Sequence, residues 1–116
     1  MKPYGLRNAS NGALVAGRLM RASNAWERGI GLLLRSSIAP DEGLWIDRCS
    51  AIHTMMMRAP IDVFFLDKDG RVLRIANAVA PNRLALTCRD AATVVELGAH
   101  RTGARDVLVG DRLVLE

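Results

Sequence analysis

Apolar positions along this chain repeat with two different periods, and the switches between them mark out the elements. Residues 1–11 are polar and turn-rich and read as a flexible N-terminal segment. Ala13 to Ala22, "ALVAGRLMRA", alternates modestly and predicts a strand. In "SNAWERGIGLLLRSS" the period lengthens. Trp26, Ile30, Leu33 and Leu34 fall at i, i+4, i+7 and i+8, the spacing of one helical face. Asn24 is a candidate cap and Glu27 follows three residues on, close to a capping box. Gly29 and Gly31 each cost such a helix about 1 kcal/mol against alanine, a cost that makes sense where a helix backbone lies close against a sheet.

Short β-rich runs dominate the remainder. Gly43–Cys49 and Ile52–Met57 are strand candidates. "IDVFFLDKDGRVLRIANAV" is the strongest hairpin signal, two β-rich arms around Asp69-Gly70 or Lys68-Asp69-Gly70. In its first arm Ile61, Val63 and Phe65 share one side, and Asp62, Phe64 and Leu66 the other. Pro81-Asn82 breaks the second arm. "ATVVELGAH" predicts another strand ended by Gly98, and a short helical turn is expected over Arg101–Arg105. "DVLVGDRLVLE" closes the chain as a bent pair of strands with Gly110-Asp111 at the corner. Six or seven strands with one helix, not regularly interleaved, argue against a parallel βαβ sheet. The expectation is a mainly β, single-domain β-barrel or sandwich over residues 12–116, mixed or mostly antiparallel, with one flanking α-helix.

Composition narrows this reading. The chain has 116 residues, half of them apolar, enough for one core without disulfide or metal staples. Aromatics are scarce, so the core rests on Leu, Val, Ile, Met and Ala. The formal charge is +4, but its arginines are scattered and no Lys/Arg run exists, which argues against nucleic-acid binding. Cys49 and Cys88 lack C-x-x-C spacing, which excludes a zinc framework on pattern. No signal sequence or membrane span is evident, because Arg18 interrupts the only apolar candidate near the start. A cytoplasmic location is expected, and free thiols fit it.

"IHTMMMRAPIDVFFLD", residues 52–67, concentrates the candidate chemistry. Asp62 interrupts an apolar strand and cannot be buried charged and alone. His53, Arg58 or turn amides are the candidate partners, and Glu96 in "VVELG" poses the same problem, with Arg28 or Arg58 as candidates. A His53–Asp62 pair is the minimum for general-base work, although no nucleophile motif accompanies it. Cys49, His53, Met55 and Met57 would together suit a soft metal such as Cu(I). Methionines in a row more often fill core gaps, so no metal and no cofactor is expected.

"WERGIGLLLR", "IHTMMMRAPIDVFFLDKDGRVL", "VVELGAH" and "VGDRLVLE", in that order, resemble the prokaryotic "domain of unknown function 192" family, in the branch with the pattern I-H-T-x-x-M-R-x-P-I-D. The resemblance covers roughly residues 12–116. It implies a compact β-barrel or sandwich with one flanking helix, and no established activity. Its motif positions fall here on Arg28, Gly31, His53, Thr54, Met57, Arg58, Pro60, Asp62, Glu96, Gly110 and Asp111. Many relatives are exported, whereas this chain shows no signal sequence. Met55-Met56 stands where relatives often carry an aromatic and a glycine.

These readings combine into an expected function. His53, Thr54, Arg58, Asp62 and Glu96 are expected to form one polar patch that binds a small molecule or protein partner, with Arg58 meeting an anionic group. Arg28, Gly31, Met57, Pro60, Gly70, Gly110 and Asp111 are expected to be structural. The alternatives are a hydrolase- or isomerase-type enzyme using His53 and Asp62, soft-metal binding through His53 and the methionines, and an interaction module with an exposed apolar surface.

Overall fold

The structure, a computed structural model, describes residues 3–22, 37–54, 57–83, 85–99 and 105–116. These form nine strands: β1 Tyr4–Asn8, β2 Leu14–Ala22, β3 Glu42–Asp47, β4 Ala51–Ile52, β5 Ile61–Leu66, β6 Val72–Val79, β7 Leu86–Thr87, β8 Thr93–Gly98 and β9 Leu113–Leu115. Seven make one sheet in the order β6-β5-β8-β3-β2-β1-β9, and β4 and β7 make a separate two-stranded sheet. The large sheet is mixed. β2 and β3 run parallel, while the other pairs are antiparallel.

The sheet is not closed into a barrel. Its outer strands, β6 and β9, are tied near one end by a lone antiparallel bridge between Arg71 and Arg112. Val72 N–H donates to Asp111 O at 2.8 Å and Gly110 N–H to Val72 O at 2.8 Å, so the loop before β9 runs along the start of β6.

Both faces of the large sheet are covered, and β5 shows why. All six of its residues are buried, as expected of a strand with core on both sides. Ile61, Val63 and Phe65 join one cluster with Leu44, Ile46 and Val94. Phe64 and Leu66 join a second with Leu6, Leu19, Val95, Leu97 and Leu113. The first cluster is roofed by Ile52, Met57, Ala59 and Leu86 from the small sheet and its loops, hereafter the cap. Bending of the sheet encloses the second, with Val107 from the loop before β9.

Register in the sheet centre depends on Gly43. It pairs with Leu97, and a Cβ built there would lie 1.8 Å from the Glu96 carbonyl oxygen. At the hairpin, the loop is Lys68-Asp69-Gly70. Asp67 N–H donates to Arg71 O at 2.9 Å, and Gly70 takes φ +85°, the left-handed setting that such three-residue loops require.

The expected mainly β, single-domain class stands, with four corrections. Closure into a barrel does not occur. Residues 1–11 are not merely loose: Tyr4–Asn8 is a strand between β2 and β9, anchored by Leu6 and Asn8, both 0% exposed. Ile52–Met57 is not one strand, because β4 ends at Ile52. Of the closing pair only β9 is extended, the stretch before it being loop. The helix expected after Ser23, with Arg28 and Gly31, lies outside the described residues, and so does the turn expected over Arg101–Arg105 except for Arg105, which is not helical. No helix occurs among the described residues.

Candidate functional site

The five residues expected to share a patch are divided by the sheet. Along β5, Asp62 alternates with Ile61 and Val63 and shares the side of Phe64 and Leu66, the second cluster. Glu96 is in register with Val63 and Leu44, which places it on the first-cluster side. His53, Thr54 and Arg58 belong to the cap, beyond the first cluster.

Asp62 is sealed, with 1% of its side chain exposed. Its Oδ1 accepts the Ala78 N–H at 2.8 Å. Ala78 lies in a bulge of β6 opposite Asp62 and has φ +50°, a conformation that costs an alanine about 1 kcal/mol. The carboxylate therefore holds an irregularity in the sheet. Its Oδ2 accepts from Arg105 Nε at 2.9 Å. The Arg105 guanidinium, 5% exposed, also donates Nη1 to Pro40 O at 2.7 Å and Nη2 to Gly98 O. One side chain thus joins β5, the end of β8 and the entry to β3. The fork geometry of arginine, with donors diverging in one plane, suits it to three acceptors.

Arg105 is the residue that sequence reasoning missed. The demand for a cation beside Asp62 was legible, but the partner stands 43 positions away, in a polar stretch with no periodicity. Arg58, one of the three candidate partners, is exposed and forms no hydrogen bond or ion pair with the described residues. Glu96 is 1% exposed. Arg28, proposed as its partner, lies outside the described residues.

Thr54 is a buried fastener. Its hydroxyl donates to Ala80 O at 2.7 Å and accepts the Arg83 N–H at 2.8 Å. Its backbone N–H donates to Arg83 O at 3.0 Å, and its carbonyl accepts Asn82 N–H at 2.7 Å. The turn at Pro81-Asn82, where Asn82 has φ +65°, closes around this one residue. The loop carrying His53 and Arg58 is thereby fixed against the segment carrying Arg83.

That arrangement concentrates charge. Residues 48–60 and 80–92 carry Arg48, Arg58, Arg83 and Arg89 against Asp90 alone. Four arginines less one aspartate make three of the chain's net four positive charges. All four arginines and His53 are exposed. Arg74 on β6 reaches the same region, donating Nη1 to Thr87 O at 2.7 Å while its guanidinium lies 5.7 Å from the Phe65 ring centre.

The residues expected to be structural are dispersed. Met57 packs in the first cluster and Pro60 is exposed. Gly110 takes φ +96° at the final corner. Asp111 Oδ2 accepts from Asn8 Nδ2 at 2.8 Å and Leu108 N–H at 2.9 Å, and these bonds hold its carboxyl below the usual carboxylate range. The Asp67 carboxyl is likewise lowered, first by the Arg71 N–H and then by that of Asp69. Of the soft donors, Met57 is committed to the core, His53 is at the surface, and Met55 lies outside the described residues.

A family model for DUF192, described as an uncharacterized ACR, matches residues 6–115. The chain is similar to a protein of Sinorhizobium meliloti 1021 described provisionally as a transcription regulator. Identity is 29%, the match covers 97% of this chain and 91% of that one, and the TM-score is 0.77. It is also similar in fold to a protein of unknown function from Novosphingobium aromaticivorans DSM 12444, at 21% identity, covering 97% and 83%, with a TM-score of 0.78. No curated protein matches it.

Proposed function

The chain belongs to the DUF192 family, and from that premise we propose that it is a non-catalytic binding module whose cap takes a small anionic ligand of the carboxylate or phosphate class. The observation that carries this reading is the locking of the His53–Arg58 loop to the turn before Arg83 by Thr54. It holds exposed arginines from two distant segments on one cap, where nearly all of the net charge resides. With the backbone of both segments fixed, less freedom is lost in gathering their arginines around a ligand, and a guanidinium fork matches a carboxylate or phosphate edge. Asp62, with one oxygen on Ala78 and the other on Arg105, is scaffold in this reading and no base for His53.

The test is a thermal-shift titration with inorganic phosphate, citrate and ADP, comparing the wild type with Arg58→Ala and Arg83→Ala at fixed ionic strength. At least one anion is expected to raise the wild-type melting temperature, with the rise reduced in both variants. No shift with any anion, or an equal shift in all three proteins, would refute the assignment. Turnover in a hydrolase screen that disappears in His53→Ala would replace it with the enzymatic reading.

A further inference from the structure

Cys49 and Cys88 stand apart from the anion-binding reading and are brought together by the small sheet. Ala51 pairs with Thr87 and Ile52 with Leu86, and Cys88 N–H donates to Ser50 O at 2.9 Å, extending the register by one residue. Cys49 is the next residue along that strand, just after Arg48, whose φ of +52° turns the chain there. Cys49 N–H donates to Ala92 O at 3.1 Å, and Ala91 N–H to Cys88 O at 3.1 Å, so both segments are held at this end of the cap. Both thiols are free, both are partly accessible, and both pack against the same apolar cluster. Hydrogen-bonded residues opposite one another in an antiparallel pair lie about 5.5 Å apart between Cα atoms. A disulfide forms across roughly 4.4–6.8 Å. Cys49 is one residue off that register, where an unbroken strand would turn it to the other face. The turn at Arg48 breaks that alternation, and both cysteines pack on the same cluster, so they share one side. In the reduced form the Cys49 thiol donates to Ala51 O at 3.2 Å, a bond that closure would exchange for the crosslink.

We propose that Cys49 and Cys88 are a dithiol that closes to an intramolecular disulfide in exchange with a small-molecule disulfide. One cysteine, as thiolate, attacks a sulfur of the small disulfide, forming a mixed disulfide and expelling one thiolate. The second cysteine, also deprotonated, attacks the protein sulfur of that intermediate and expels the other thiolate. Two protein thiols are oxidised by two electrons, the small disulfide is reduced to two thiols, and the two protons pass to those products. The crosslink ties the segment entering β4 to the segment leaving β7, beside Arg48 and Arg89.

The full chain is incubated with oxidised glutathione, quenched in acid, unfolded, alkylated and weighed. The expected product is a monomer lacking two hydrogens and carrying no alkyl group, with a higher urea midpoint that reverts on reduction. Cys49→Ser and Cys88→Ser, each folded by circular dichroism, are expected to show no such product and no oxidant-dependent change in midpoint. Two alkyl groups per chain after oxidation, or crosslinks only between chains, would overturn the proposal.

Discussion

Replacing Arg105 with methionine removes a guanidinium while keeping much of its length. It leaves the Asp62 carboxylate buried with the Ala78 amide as a remaining donor and frees the part-buried carbonyls of Pro40 and Gly98. Truncating one partner of a buried ion pair costs about 3–5 kcal/mol. Domains of this kind have roughly 5–15 kcal/mol in all, so the variant should be marginal. At this size the loss corresponds to a fall in melting temperature of about 12–20 °C. Urea unfolding of the wild type, Arg105→Met, Asp62→Leu and the double variant completes a cycle. The double variant should be more stable than the sum of the single losses implies, because it leaves no unmatched charge. Arg105→Lys should fall between, keeping the charge but losing the fork. A loss below about 1 kcal/mol for Arg105→Met, the value typical of a solvent-exposed pair, would refute the view that this side chain holds three segments together.

Gly43→Ala should prevent soluble folding or shift the urea midpoint severely, because the new Cβ meets the Glu96 carbonyl at 1.8 Å; Gly17→Ala, with nothing within 4 Å, should be neutral or slightly stabilising. Thr54→Val should cost about 1–3 kcal/mol by leaving the Ala80 carbonyl and Arg83 amide without their hydroxyl, and hydrogen exchange at Arg83 should accelerate, whereas Thr54→Ser should retain protection. Asp67 is ionised more readily folded than unfolded, because the Arg71 and Asp69 amides favour its charged form. Its contribution is therefore full above about pH 4, the unfolded value, and is lost as pH falls through the lower folded-state value. Asp67→Asn should flatten the fall of the urea midpoint over that acid range, and an unchanged profile would show that the carboxylate contributes nothing.

The sequence was most legible where local rules governed. The hairpin of β5 and β6, its Asp-Gly loop, the turn at Asn82 and the strand ending at Gly98 follow from alternation and left-handed residues. It was least legible where a partner lay far along the chain. β1 has too few apolar residues to announce a strand, and it exists because β2 and β9 flank it. The short β4–β7 pair is set by burial of Ile52 and Leu86, which periodicity over two residues cannot reveal. Asp62 was marked as a polar position needing company, whereas Thr54 was expected to offer its hydroxyl to a ligand and instead spends it on Ala80 and Arg83. What alternation could not supply was the partner, since a bulge and a remote arginine complete the first, and a turn 26 to 29 residues away completes the second.

The neighbours of β1 carry a consequence for synthesis. Arg7 stands opposite Val114, and Gly5 and Glu116 exchange backbone hydrogen bonds. The segment that leaves the ribosome early must therefore wait for one that leaves more than a hundred residues later. During that interval one rim of β1 is bare and able to accept a strand from another nascent copy. Chains clipped by a protease ahead of Leu113 would keep that rim bare permanently, and their self-association would measure how far β9 acts as a guard against it.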